Sequence, residues 1–282
     1  MPDGVLVARV DYGGDDDSAL VSALRGQQFL IVSAAVSSPN DVNKFVRAAA
    51  KAGVPYILPN WYGTDPAHDP PTEPDFIDRH IGTVISEIKD LGVSSYVLLV
   101  CSTWFEWSLG GGPNRYGFDF DNRTVNLYDD GNVALNTTTW PQCGRAIANL
   151  LSLKELPEDE SDKSPTLSQF RNSPVYISSF LVSQRDMFES VKRVTHTSDA
   201  DWTITHEPIK QAYKESKEAW EKDRTNLPAL GKYLYSRLFF PGGWSAYETT
   251  CGLHNDILDL PVEDLDEFTA IAISFAAKRV NY

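Results

Sequence analysis

Val54-Pro55-Tyr56-Ile57-Leu58-Pro59-Asn60-Trp61-Tyr62-Gly63 is the stretch that decides how this chain folds. An apolar run interrupted by proline and followed by a polar, aromatic and glycine turn reads as a buried strand that opens at its C-terminal edge. In an open α/β sheet that edge is where ligands sit. The residues before it supply the rest of half a βαβ unit. Asn40 or Asp41 can cap a helix, Val42, Phe45, Val46, Ala49 and Ala50 share one face, and Gly53 closes it.

Toward the N-terminus, Gln28 to Val32 reads as a strand ending in Ser33-Ala34-Ala35, whose small side chains would let a flat ring approach the backbone. Leu6 to Val10 reads as another strand, ending at Asp11-Tyr12-Gly13-Gly14, and a helix following Asp15 to Asp17 runs to Arg25. Toward the C-terminus, the proline-rich acidic loop from Thr64 to Pro74 has the length of a functional lid. A helix follows from Asp75 to Leu91, with Phe76, Ile81, Val84, Ile85 and Ile88 at helical spacing and Gly92 as its stop. Tyr96 to Val100 then returns to a buried strand. Strands and helices alternating in this way are the pattern of a doubly wound parallel sheet, an α/β fold.

After Cys101 the rhythm changes. Thr103-Trp104-Phe105-Glu106-Trp107 is rich in aromatics and leads to Gly110-Gly111-Gly112-Pro113, which no helix or lysine follows, so the triplet reads as a turn and not as a phosphate cradle. Short strands are expected around Tyr116 to Phe120, Thr124 to Tyr128, Val175 to Ile177 and Trp202 to Ile204. Asn136 to Thr139 caps one helix, and Ser183-Gln184-Arg185-Asp186 has the spacing of a capping box for another. Leu156 to Lys163 is an acidic surface loop. The last helix, Glu263 to Arg279, carries acids in its first turn, Lys278 and Arg279 in its last, and Leu265, Phe268, Ile271, Ala272 and Phe275 on its buried stripe.

Composition narrows the function. A chain of 282 residues, 42% apolar with seven Trp, can build a large core. Its formal charge of −14, with no basic stripe to offset it, argues against a nucleic-acid or anionic-membrane partner. Cys101, Cys143 and Cys251 are odd in number, far apart in sequence and match no metal spacing, so reduced thiols in the cytoplasm are expected. No apolar run reaches the span of a bilayer. The sequons at Asn122 and Asn136 are accordingly expected to be unused.

The order Gly4 to Val7, Val10-Asp11-Tyr12, Ala23 to Gln27, Ile31-Val32-Ser33, Ala52-Gly53-Val54 and Leu58 to Gly63 resembles the NmrA-like and isoflavone-reductase-like family, particularly its fungal members. Asp130-Gly131-Asn132, Gly144 to Ala148, and Val175 to Ile177 through the Ser183 helix are similar to its substrate-side half. The resemblance implies an atypical short-chain dehydrogenase. Its fold would be a Rossmann-like domain for NADP or NAD with a smaller α+β lobe, and its reaction hydride transfer to a small, often aromatic or polyketide-like molecule. We divide the chain into a nucleotide-binding domain over 1–155, with substrate-side insertions after 103, and a mostly helical substrate lobe over 156–282. Met1 falls almost at what resembles the family's third strand, so the sheet is expected to lack its first βαβ unit. With that unit goes the Gly-rich turn whose amides hold the pyrophosphate.

The resemblance also frames the candidate residues. Ser33, Ala34 and Ala35, with Pro59, Asn60 and Trp61, end adjacent strands and would face the nicotinamide side of a cofactor. Asp11 either accepts from an adenine amino group or closes a turn. Tyr62, Trp104, Phe105 and Trp107 either wall an aromatic pocket or belong to the core. Family reductases carry a lysine on the helix after a Pro-Ser-Glu-Phe-Gly-like turn, where it polarises the substrate oxygen. Here that turn is Pro59 to Gly63, the first lysine on the helix is Lys89, and the expected position falls near Ile81. His80, beside it, titrates near pH 6.5 when unperturbed, about right for a proton donor, and is otherwise a core-edge histidine. Tyr213-Lys214-Glu215-Ser216-Lys217 has the Tyr-x-x-x-Lys spacing of ordinary short-chain dehydrogenases but lies far downstream, on a charged helix. His68, His196, His206 and His254 are too scattered for a metal site. Three readings remain open: an NAD(P)H-dependent reductase of a small molecule, a non-catalytic dinucleotide sensor that works through a protein partner, or an inactive remnant.

Overall fold

The structure, a computed structural model, describes residues 4–14, 16–34, 40–66 and 75–278. The chain forms two compact units. The first holds the described residues up to Tyr62, those from Asp75 to Leu99, and Lys154–Val175. The second holds Gly63 to Pro66, Val100–Leu153 and the described residues from Tyr176 onward.

In the first unit α1 (Ser18–Leu24), β1 (Phe29–Ile31), α2 (Asn40–Ala52), β2 (Tyr56–Leu58), β3 (Tyr62–Gly63), α3 (Phe76–Leu91) and β4 (Ser95–Val100) follow one another, with β3 and β4 running into the second. The sheet order is β1-β2-β4-β3. Phe29 pairs with Tyr56 and Ile31 with Leu58 in parallel, and Tyr56 in turn pairs with Ser95. Such a sheet is covered on its faces, so its strands are continuous apolar runs; Tyr56, Ile57 and Leu58 are all buried. Val42, Val46 and Ala49 of α2 and Ile81, Val84 and Ile88 of α3 share one core with Ile57 and Leu98. The ends of α3 are fixed locally. Asp75 Oδ1 accepts from the N–H groups of Ile77 and Asp78 at 2.7 and 2.9 Å, Asp78 returns a bond to Asp75 N–H, and Gly92 closes the helix at φ +65°.

The segment from Leu6 to Val10 is not a strand. Leu6 is 96% exposed and Val7 62%, and the segment pairs with no strand of the sheet. Its β-prone side chains dictate an extended backbone only where a neighbouring strand takes its hydrogen bonds, and among the described residues no strand pairs with it. Residues 67–74 of the expected lid, and Ala35 of the β1 turn, lie outside the described residues.

The second unit continues with β5 (Thr103–Trp104), α4 (Phe105–Gly110), β6 (Phe118–Asp119), β7 (Thr124–Tyr128), β8 (Leu135–Thr138) and α5 (Trp140–Ser152). After β9 (Ser173–Tyr176), which joins the first sheet on β4, come β10 (Phe180–Val182), α6 (Gln184–Thr195), β11 (Thr203–Glu207), α7 (Ile209–Lys222), α8 (Leu227–Ser236) and α9 (Leu265–Ala277). Two small sheets result, β10-β8-β5 and β11-β7-β6. The capping box of α6 forms as its sequence dictates, with Ser183 N–H donating to Asp186 Oδ2 at 2.8 Å and Asp186 N–H to Ser183 Oγ at 3.2 Å. Strand β8 is a departure: Asn136, Thr137 and Thr138 are wholly buried although polar. Helices α4 and α9 pack so closely that a Cβ on Gly110 would collide with the Ala272 carbonyl.

Candidate functional site

At the C-terminal edge of the first unit's sheet, the last backbone rung between β1 and β2 runs from Val32 N–H to the Leu58 carbonyl at 2.9 Å. Beyond it a side chain takes over. Asn60 Nδ2 donates to the Ala34 carbonyl at 2.9 Å, and Asn60 Oδ1 accepts from Ala34 N–H at 3.4 Å. Tyr62 Oη donates to the Val32 carbonyl at 2.8 Å. The turn of exposed Ser33 and half-buried Ala34 is therefore held as an extension of the ladder. Pro59 is buried behind it, and Trp61, 8% exposed, belongs to the core of this unit.

Asp11 fixes its own turn, accepting from Gly13 N–H at 2.8 Å. With Tyr12, Asp16, Asp17, Leu20, Lys44 and Arg47 it lines a cavity of about 160 Å³. Both cations there are engaged: Lys44 Nζ donates to the carbonyls of Tyr12, Gly13 and Gly14 at 3.1 to 3.3 Å, and Arg47 pairs with Glu87 at 2.7 Å. A phosphate would meet three carboxylates in this cavity. None of the segments that follow β1, β2 and β4 is rich in glycine. Among the described residues, the ends of these strands carry no glycine-rich turn of the kind whose backbone amides hold a pyrophosphate.

His80 is half-buried on α3, and burial holds its pKa below the ordinary histidine value, so the ring is neutral near pH 7. Ile81, where the family's lysine would fall, is 2% exposed and part of the core. Lys89 sits over the Tyr96 ring, 5.6 Å from its centroid.

In the second unit, Trp104 and Trp107 are half-buried while Phe105 is wholly inside the core. The two tryptophans belong to a row that their spacing alone did not reveal. Trp104 packs on Trp140 at 6.5 Å between centroids, Trp140 on Phe275 at 5.7 Å, and Phe275 on Trp107 at 5.7 Å. The Arg115 guanidinium lies 3.8 Å from the Trp107 ring centroid. Between them the buried Glu106 takes the Trp140 N–H on both carboxylate oxygens at 3.2 Å. Burial, and then the nearby Glu263 charge, push its pKa above the usual carboxylate range. Glu263 is itself satisfied by Thr139 Oγ1 at 2.8 Å, Ser179 Oγ at 2.6 Å and Arg145 at 2.6 Å. An acid set inside an aromatic run was the visible signal for Glu106.

Two other constellations also come together only in the fold. Tyr176 Oη donates to Asp65 Oδ2 at 2.6 Å while its backbone N–H donates to His254 Nδ1 at 3.0 Å. Cys101 and Cys143 are both buried, Cys101 Sγ donates to the Ser102 carbonyl at 3.9 Å, and the neighbouring Cys101 thiol together with burial pushes the Cys143 thiol up. Tyr213 of the Tyr-x-x-x-Lys match packs on Tyr233 and Phe240, and Lys217 Nζ stands 6.0 Å from its ring centroid. Among the described residues no group of three His, Cys, Asp or Glu is placed to hold a metal ion, and no helix is long and apolar enough to cross a membrane.

No protein-family model matches the chain. A fungal protein, oxidoreductase aprR of Aspergillus flavus, is 24% identical over 281 residues, covering 96% of this chain and 84% of that protein. Among solved structures, an isoflavone reductase superposes with a TM-score of 0.65 at 18% identity, over 92% of this chain and 79% of that one. A structure from the pinoresinol-lariciresinol and phenylcoumaran benzylic ether reductases gives 0.66 at 18% identity, over 91% and 79%. The NADPH-dependent quinone oxidoreductase QOR2 of Escherichia coli, complexed with NADPH, gives 0.61 at 16% identity, over 95% and 83%.

Proposed function

We propose that this chain, which has the Rossmann-like α/β fold of the isoflavone-reductase-like proteins, is an NAD(P)H-dependent oxidoreductase of a small, aromatic or polyketide-like molecule. The observation that carries the reading is the Asn60–Ala34 rung, which keeps a turn of small residues open at the C-terminal edge of a parallel sheet. Support comes from similar structures that hold NADP(H), among them a reductase with NADP+ and pinoresinol and the quinone oxidoreductase with NADPH. A bound dihydronicotinamide supplies hydride. Ser33, Ala34, Pro59, Asn60 and Trp61 orient the ring, Asp11 is the candidate for the adenine end, and Tyr62, Trp104 and Trp107 give an aromatic substrate flat surfaces to pack on. His80 is the candidate that holds the proton for the substrate oxygen. We place the protein in the cytoplasm, where its three thiols stay reduced.

A second reading, a non-catalytic dinucleotide sensor acting through a protein partner, is favoured by one observation: Ile81 is buried where the family's lysine would stand. Titration of NADPH and NADH against tryptophan fluorescence, followed by nicotinamide absorbance with isoflavone and quinone acceptors, separates the two. Saturable binding with acceptor-dependent oxidation supports the reductase. Binding without oxidation supports the sensor, and no binding of either nucleotide sinks both.

A further inference from the structure

Arg115 is a cation without an acid in a chain that carries 39 Asp and Glu against 25 Lys and Arg. It is half-buried and forms no ion pair with any described residue, whereas Arg47, Arg145, Arg171 and Arg193 each pair with a carboxylate. Glu106, the acid of α4, does not answer it, since its carboxylate oxygens are turned to the Trp140 N–H. The guanidinium is nonetheless held in place. One N–H of Nη1 donates to the Trp107 carbonyl, the group lies 3.8 Å from the Trp107 ring centroid, and Gly111 leaves the space it fills, because a Cβ there would collide with Arg115 Nη1. The other four of its five N–H groups find no acceptor among the described residues. Burial lowers its pKa, an effect that the Tyr235 phenol offsets only in part.

Taking a guanidinium partly out of water without pairing it is costly, so a cation held in this way marks a place for an anion. The surroundings decide which anion. The planar fork of N–H groups matches the two oxygens of a carboxylate. Beside it the Trp107 ring continues through Phe275 to Trp140, which is 40% exposed, in a row of tilted and edge-on aromatics. A flat apolar body carrying one carboxylate suits both halves, whereas inorganic phosphate offers nothing to the rings. All of these residues belong to the second unit. We propose that Arg115 and the row Trp107–Phe275–Trp140 bind small aromatic carboxylates, the guanidinium taking the acid group and the rings the aryl body. This deepens the oxidoreductase reading by naming its substrate class, and it rests on that reading for turnover of the bound molecule but not for its binding.

The test measures, by calorimetry near pH 7 without nucleotide, dissociation constants of benzoate, cinnamate and 2-naphthoate, of the matching primary amides, and of inorganic phosphate. It compares the wild-type chain with Arg115→Gln and Arg115→Lys and records the melting midpoint of each. The expected result is that wild type binds at least one of the acids about tenfold or more tightly than its amide, the size of a charge-assisted hydrogen bond. Arg115→Gln removes that preference and leaves amide binding unchanged, and Arg115→Lys, which keeps the charge without the fork, retains only part of it. A wild-type chain that prefers none of the acids over its amide, or binds phosphate as tightly as the acids, overturns the inference. So does a folded Arg115→Gln chain that keeps the preference, or one whose lower midpoint accompanies equal loss of acids and amides, which would leave Arg115 only its bond to the end of α4. NADPH and NADH titrated alongside separate the two proposals: the acid preference without binding of either nucleotide retains this site and sinks the reductase.

Discussion

Asn60 pairs with the backbone of Ala34 in both directions, donating to its carbonyl at 2.9 Å and accepting from its N–H at 3.4 Å, so that a side-chain amide serves as one more rung between two strands. An aspartate at this position keeps the acceptor but turns a carboxylate oxygen on the Ala34 carbonyl, whereas alanine removes both contacts. Asn60→Asp is expected to cost about 1–3 kcal/mol and Asn60→Ala about 1 kcal/mol of stability, read as denaturant midpoints. Both should weaken NADPH binding. Wild-type midpoints in the two variants would show that Ser33 and Ala34 hold their shape without this amide.

The closeness of α4 and α9 leaves Gly110 no room for a side chain. Gly110→Ala drives a methyl group into the Ala272 carbonyl, a clash with backbone that no rotamer relieves. A loss of about 1–3 kcal/mol, the range for overpacked cores, is expected in thermal or denaturant unfolding. A variant as stable as wild type would mean that the two helices slide apart freely.

Glu106 makes stability depend on pH in the unusual direction. Its folded pKa lies above the unfolded value of 4.5, because burial outweighs the Trp140 N–H it accepts. The folded state therefore binds the proton more tightly, and the stability it contributes is full below the unfolded pKa and lost as pH rises through the folded one. Glu106→Gln keeps an acceptor for Trp140 and carries no charge. It should gain on wild type when the two are compared near pH 7 and not when they are compared near pH 4, by urea unfolding. A constant difference at both pH values would contradict the assignment.

His80 can be judged by its pH profile. Burial holds its pKa below 6.5, so a proton-donating role requires acceptor-dependent NADPH oxidation to increase as pH falls from neutrality. His80→Asn should flatten that increase. The same profile in the variant would return His80 to the core edge of α3.

Elements fixed by near neighbours were legible. Asp75 and Gly92 bracket α3 within a single stretch of chain, and Ser183 with Asp186 opens α6, so each boundary could be read from its own residues. The runs of β2 and β4 were legible because strands covered on both faces are apolar without interruption. Leu6 to Val10 has the same local signal and forms no strand, since pairing depends on a neighbour that local sequence does not contain. The buried Asn136, Thr137 and Thr138 of β8 hide behind polar side chains, satisfied by partners such as Ser178, 42 residues on from Asn136. The candidate site is of this second kind. The identity of Asn60 was visible, but its bond to Ala34 spans 26 residues, and the row from Trp104 to Phe275 exists only once α4, α5 and α9 are assembled.

With the Ala272 carbonyl seated directly on Gly110, neither α4 nor α9 can lift away alone. A fluctuation that admits solvent to one must admit it to the other. Their amide protons should therefore exchange with deuterium at matching free energies, as a single cooperative opening that joins the segment just past the central strand to one near the far end of the chain.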